Sequence, residues 1–137
     1  PVEGHSEAIH SLHVDVASGL AVSASGDFYA IVWDLDSGRP VARLGPHRDS
    51  VSAAALLPGG ELVVSAAMDN RLRLWDARSG ALEAELTGHT SAVSDVAVDA
   101  AGKTAVSGSM DMSVRIWDLD AQAEAGKLLG HTSVVTA

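Results

Sequence analysis

Cysteine is absent from the 137 residues, which excludes a disulfide framework, a Cys-based zinc site, an iron–sulfur cluster and a Cys nucleophile. Aromatic residues are scarce: three Trp, one Tyr and one Phe. Positive charge is scarce too, with 9 Lys plus Arg against 18 Asp plus Glu and a formal net charge of −9. A nucleic-acid groove needs clustered cations to hold phosphates, so no nucleic-acid partner is expected. The same deficit removes a basic membrane-surface helix. No apolar run approaches the roughly 18 residues of a spanning helix, so no membrane partner is expected either. The opening residues PVEGHSEAIH have neither an initiator Met nor the basic start and apolar stretch of a signal peptide. A cytoplasmic location is the resulting expectation. What remains, 47 % hydrophobic and 20 % charged, is the composition of a globular protein of one domain's length.

The chain repeats itself. His5, His47, His89 and His131 fall 42 residues apart, preceded by Gly4, Pro46, Gly88 and Gly130. Trp33-Asp34, Trp75-Asp76 and Trp117-Asp118 keep the same spacing, and they contain every Trp of the chain. Within a unit, AVSDVAV, KTAVSGS and SVRIWDL are short, rich in Val and Ile, and separated by turn residues. A weaker fourth run follows each Trp-Asp, at Pro40–Leu44, Leu82–Thr87 and Lys127–Leu129. No stretch sustains a helical period.

A period of about 40–45 residues carrying Gly-His and Trp-Asp marks resembles the WD-repeat family from end to end. The resemblance implies an all-β fold of propeller blades, each a four-stranded antiparallel sheet. The expected divisions are blade 1 over 5–46, blade 2 over 47–88, blade 3 over 89–130, and the start of a fourth blade over 131–137. Val2 and Glu3 read as the tail of an earlier outer strand. Propellers close with about four to eight blades. Three therefore form a partial ring, or a ring completed by association.

The resemblance also assigns a hydrogen-bonded structural tetrad to each unit. The sets are His5, Ser23, Asp27 and Trp33; His47, Ser65, Asp69 and Trp75; and His89, Ser107, Asp111 and Trp117. The chemistry is consistent: the indole donates, Ser donates and accepts, His bridges with two nitrogens, and Asp accepts. The competing reading is a Ser-His-Asp hydrolase. A catalytic set occurs once, whereas this one recurs three times in register, and no Gly-x-Ser-x-Gly elbow is present. No catalytic residue is assigned, and the chain reads as a non-enzyme.

No metal and no cofactor are expected. His10 and His13 point to opposite faces of one strand and have no third ligand. Asp34 with Asp36, and Asp118 with Asp120, lack the Gly-bearing, oxygen-dense loop of a calcium site. Arg73 and Arg115, two before each Trp, read as outward strand residues paired with acidic neighbours rather than anion binders. In the family, partner contacts gather on one rim. By motif these positions are His10, Ser52 and Ser94, with Ala8, Ser50 and Ala92 beside them, and Met68 and Met110 before the tetrad Asp. Blade 3 departs from the pattern, lacking the turn glycine after Trp-Asp and carrying Gly126 in its outer strand.

The function implied is a non-catalytic protein–protein interaction platform, a propeller segment of a larger scaffold or sensor protein binding a protein or peptide. The alternative is a self-assembling or engineered fragment whose copies close a ring.

Overall fold

Each Val-, Leu- and Ala-rich run becomes a strand in the computed structural model, which describes residues 4–99 and 101–129. The first sheet holds β1 (Ile9–Asp15), β2 (Leu20–Ser25), β3 (Ala30–Asp34) and β4 (Pro40–Leu44). The second holds β5 (Val51–Leu56), β6 (Leu62–Ala67), β7 (Leu72–Asp76) and β8 (Leu82–Leu86). The third holds β9 (Val93–Val98), β10 (Thr104–Ser109), β11 (Ser113–Asp118) and β12 (Ala123–Leu129). All three are antiparallel meanders with strands paired in chain order, the architecture of propeller blades. The ring they begin is not closed. The readings placed on Val2, Glu3 and residues 131–137 lie outside the described residues.

The blades stack through two apolar cores. Leu20, Val22, Val32 and Leu44 of the first sheet meet Val51, Leu56 and Trp75 of the second. Val64, Leu72 and Leu74 of the second meet Val93, Val96 and Trp117 of the third. Trp75 and Trp117 therefore each pack on the blade before their own, whereas Trp33 belongs to neither core. The centre of the chain is buried on both faces: every residue of β6 but Leu62 is buried.

Turns stack as well. The β5–β6 turn at Gly60 lies against Ser18 of the β1–β2 turn, and the β9–β10 turn at Gly102 against Pro58. At the opposite end, the loop entering β5 is bonded to the β2–β3 turn, through His47 N–H to the Phe28 carbonyl at 2.7 Å. The β2–β3, β6–β7 and β10–β11 turns thus share one rim. In the third outer turn, Gln122 takes φ 55° where the first two blades place Gly38 at φ 72° and Gly80 at φ 77°.

Register irregularities recur at equivalent places. The inner pairs slip between Ile9 and Ser11, between Val51 and Ala53, and opposite the Gly108–Ser109 step, where Val93 and Asp95 are the partners. The residues left over are His10, Ser52 and Ser94.

Candidate functional site

The tetrads sit where each central hairpin meets the loop leading into its blade. In the first blade, His5 Nε2 is 2.6 Å from Ser23 Oγ and His5 Nδ1 is 2.8 Å from Asp27 Oδ2. Trp33 Nε1 donates to the same Ser23 oxygen at 2.8 Å. The third blade repeats this: His89 Nε2 lies 2.6 Å from Ser107, His89 Nδ1 2.8 Å from Asp111, and Trp117 Nε1 donates to Ser107 at 2.8 Å. Register explains the meeting. Trp33 pairs with Ala21 and Trp117 with Ala105, each two residues before its Ser on the neighbouring strand.

The second blade departs from the expected set. His47 Nε2 reaches Ser65 at 2.8 Å and Trp75 Nε1 donates to Ser65 at 2.8 Å. Asp69, however, is not on His47. Its carboxylate takes the Arg73 guanidinium at 2.7 Å, and His47 Nδ1 donates instead to the Phe28 carbonyl at 3.0 Å. The cause is the residue four after Asp. Ile31 offers the first blade no competitor for Asp27, whereas buried Arg73 captures Asp69. In the third blade Arg115 leans to Glu124 and stays 3.9 Å from Asp111, leaving that carboxylate to His89.

Arg73 and Arg115 thus correct the outward reading of their strands, for both are buried. They do pair with acidic neighbours, Arg73 with Asp69 and Glu85, and Arg115 with Glu124.

The electrostatics follow from these contacts. Burial opposes ionisation of Asp27, but bonds from His5 and the Ser6 and Tyr29 amides hold its carboxyl below the usual range. Asp69 is likewise lowered against burial, chiefly by Arg73. Asp111 is lowered furthest, by Ser113, His89 and the Thr90 amide acting against burial. Burial pushes His47 down to about 4, with the Arg73 charge assisting and the Phe28 carbonyl opposing. Burial also lowers His89, against the pull of Asp111.

A Ser-His-Asp chain in this geometry would serve nucleophilic attack only if the hydroxyl could reach a substrate. Here Ser65 and Ser107 are fully buried, and in every blade the indole N–H occupies an Oγ lone pair. The bonds join the entering loop to the hairpin in each blade. Among the described residues no group of three or more His, Asp or Glu is placed to hold a metal ion. Nor is any helix there long and apolar enough to cross a membrane.

On the rim above the tetrads, Met68 and Met110 are 41 % and 40 % exposed. Their amides bond to the carbonyls of Ser50 and Ala92, fixing the turns in place. His10 is exposed, while Ser52 and Ser94 are half-buried. Ser94 Oγ donates to the Gly108 carbonyl. Ser52 Oγ is buried without a partner. His13, away from the rim, accepts the Leu56 amide at 3.1 Å and so ties the first blade to the second.

Sequence reasoning missed two rim residues, Phe28 and Met112, each 44 % exposed. Both follow a tetrad Asp and hold positive φ, 74° and 68°. The available signal was a large apolar residue inside a turn.

Tetrad, hairpin and blade recur at the repeat period, and these define a protein built of WD repeats. The family described as "WD domain, G-beta repeat" matches residues 2–34, 38–76 and 80–118, and the chain belongs to it. It is similar to the WD repeat- and FYVE domain-containing protein 4 of Homo sapiens, 42 % identical over 53 residues. The Mus musculus protein of the same name is 43 % identical over 53 residues. In both cases the matched stretch is 39 % of this chain and 2 % of the relative.

Proposed function

We propose that the chain is a non-catalytic interaction platform whose rim binds a protein or peptide partner, as one segment of a larger cytoplasmic scaffold or sensor. The observation that carries this reading is the row of exposed apolar side chains at one end. Phe28, Met68, Met110 and Met112 all stand on turns whose backbones are held by the tetrads and loop bonds beneath. Rigid turns carrying adaptable methionines suit capture of an apolar anchor. At the bulges, which re-aim side chains out of the ladder, exposed His10 extends the candidate surface, and half-buried Ser52 and Ser94 border it with their hydroxyls turned to the protein. That the relatives' name joins WD repeats to another domain supports a scaffold role.

A phage-displayed peptide library panned on the chain tests the reading. Selected peptides should lose at least about tenfold in affinity to the double variant Met68→Glu, Met110→Glu. The variant should keep the wild-type circular dichroism. Peptides indifferent to both substitutions would refute the rim as the docking surface.

A further inference from the structure

The rim carries a hole where two of its turns carry knobs. The β2–β3, β6–β7 and β10–β11 turns place Gly26, Met68 and Met110 at one position. Their backbones are held alike, the amides donating to the carbonyls of Ala8, Ser50 and Ala92 at 3.1, 2.9 and 2.9 Å. Gly26, unlike Gly19 or Gly38, does not take positive φ, so the turn does not demand glycine there. What glycine provides is the missing side chain. The result is a notch of about 260 Å³ lined by Ser6, Glu7, Gly26, Asp27 and Phe28. A Cβ at Gly26 would stand 3.3 Å from His10 Nε2 and 3.6 Å from both Glu7 Cβ and Ser50 Oγ, so His10 and Ser50 complete the walls.

The polar groups around this notch are unspent. Among the described residues, the Glu7 carboxylate, the His10 ring and the Ser50 hydroxyl make no hydrogen bond or ion pair. Asp27 adds a carboxylate behind them, its two oxygens accepting from His5, Ser6 and Tyr29. No Lys or Arg lines the notch, and Phe28, 44 % exposed, gives it an aromatic wall. The opening does not depend on what precedes the first blade. In the second blade, which has a neighbour on each side, the corresponding Arg48, Asp49 and Met68 stay exposed.

We infer that the Gly26 notch receives a basic side chain, lysine or arginine, from the partner segment that the rim binds. The inference rests on the rim being the docking surface and adds the chemistry of one partner residue. A cation with several donors meets the free acceptors of Glu7, His10 and Ser50, while its aliphatic stem lies along Phe28. An acidic side chain would face the carboxylates of Glu7 and Asp27. A large apolar one would cover the free polar groups without pairing them. Ser50 also holds the Met68 turn, so the basic residue falls beside an apolar one that packs on Met68.

Peptides panned on the wild-type chain test this. They should carry Lys or Arg near an apolar residue, and exchange of the Arg for citrulline, or the Lys for norleucine, should weaken binding at least about tenfold. Added salt should weaken the parent peptide more than its neutral counterpart. Gly26→Met copies the other two turns, plugs the notch, and should cost at least about tenfold with unchanged circular dichroism. Should its side chain disturb His10 and the fold, Glu7→Gln keeps the shape and should cost about threefold. The neutral peptide should lose nothing further in Glu7→Gln, as a shared contact requires. A selection returning no basic binder would overturn the inference. So would peptides that depend on Met68 and Met110 but ignore Gly26→Met and Glu7→Gln, and these would leave the rim reading standing. Basic peptides sensitive to Gly26→Met but indifferent to Met68→Glu, Met110→Glu would support the notch and overturn the methionines as the docking surface.

Discussion

His5, His47 and His89 occupy one position in three blades, yet His47 alone spends its second nitrogen on a backbone carbonyl of the neighbouring blade. A carbonyl can only accept, so Nδ1 carries the proton and Nε2 takes the Ser65 hydroxyl. Protonation would place an N–H against that hydroxyl in a site with no carboxylate on the ring. The folded state holds His47 near 4 against an ordinary 6.5. As pH falls, the unfolded chain takes up this proton first, so stability present above about 6.5 is lost progressively toward 4. By pH 5 the loss from this residue is about 2 kcal/mol. His89, lowered in the same direction, adds to it. The depressed Asp27, Asp69 and Asp111 act later, withdrawing stability only as pH drops below 3.8. Urea midpoints at pH 7 and 5 check the order. His47→Gln, whose amide can still donate to Phe28 and accept from Ser65, should flatten the fall. An equal fall in wild type and variant would remove His47 as its source.

The tryptophans separate by the same logic of surroundings. Trp75→Ala removes a buried indole from the first junction and orphans Ser65, costing about 3–5 kcal/mol. Ser65→Ala should cost about 1–3 kcal/mol. Trp33→Ala, on the groove-lining face, should cost about half as much as Trp75→Ala in dilute chain, because less area leaves water there on folding. Equal losses at the two tryptophans would contradict the difference in packing.

At the scale of the strand and turn, the repeat period carried most of the fold. Twelve strands in three antiparallel meanders follow from short apolar runs between turn residues, and even the doubtful outer strand with Gly126 forms, as β12. The bonds implied for the tetrads are made in blades 1 and 3 and left incomplete in blade 2. Blade 2 contains all four residues, and nothing in the motif tells that Arg73 outcompetes His47 for Asp69. That outcome depends on a guanidinium buried beside the carboxylate, which spacing cannot report. The bulges that free His10, Ser52 and Ser94 from the ladder, and the left-handed turns that lift Phe28 and Met112, were likewise hidden. Positive φ ordinarily announces itself through Gly or Asn, as at Asn70, and neither Phe nor Met gives that cue. The same reasoning yields a stabilising change. Gln122 pays the left-handed penalty where the other blades use glycine, so Gln122→Gly should raise stability by about 1 kcal/mol. Gly80→Ala should lower it by a similar amount, because an added Cβ would also stand 3.2 Å from the Arg43 carbonyl. Thermal midpoints moving the other way would refute the turn assignment.

Across the whole molecule, stability is distributed by stacking rather than by one centre. A blade contacts only its neighbours, so each sheet is held as strongly as its two faces are covered. The second sheet has a core on each side, sharing one with the first and the other with the third. The end sheets have one core each, and their outer faces carry exposed Leu12 and Val106. Two strands at the extremes, β1 and β12, are also the ones with the most exposed residues in their sheets, whereas β6 and β7 are almost wholly buried. Opening should therefore proceed from the ends inward. Native-state hydrogen exchange on dilute chain should find the slowest amides in Leu62–Ala67 and Leu72–Asp76. Amides of Ile9–Asp15 and Ala123–Leu129 should exchange at least about tenfold faster. Uniform protection across the three sheets would mean that the blades unfold as one unit, and nearest-neighbour stacking would then not be what sets their stability.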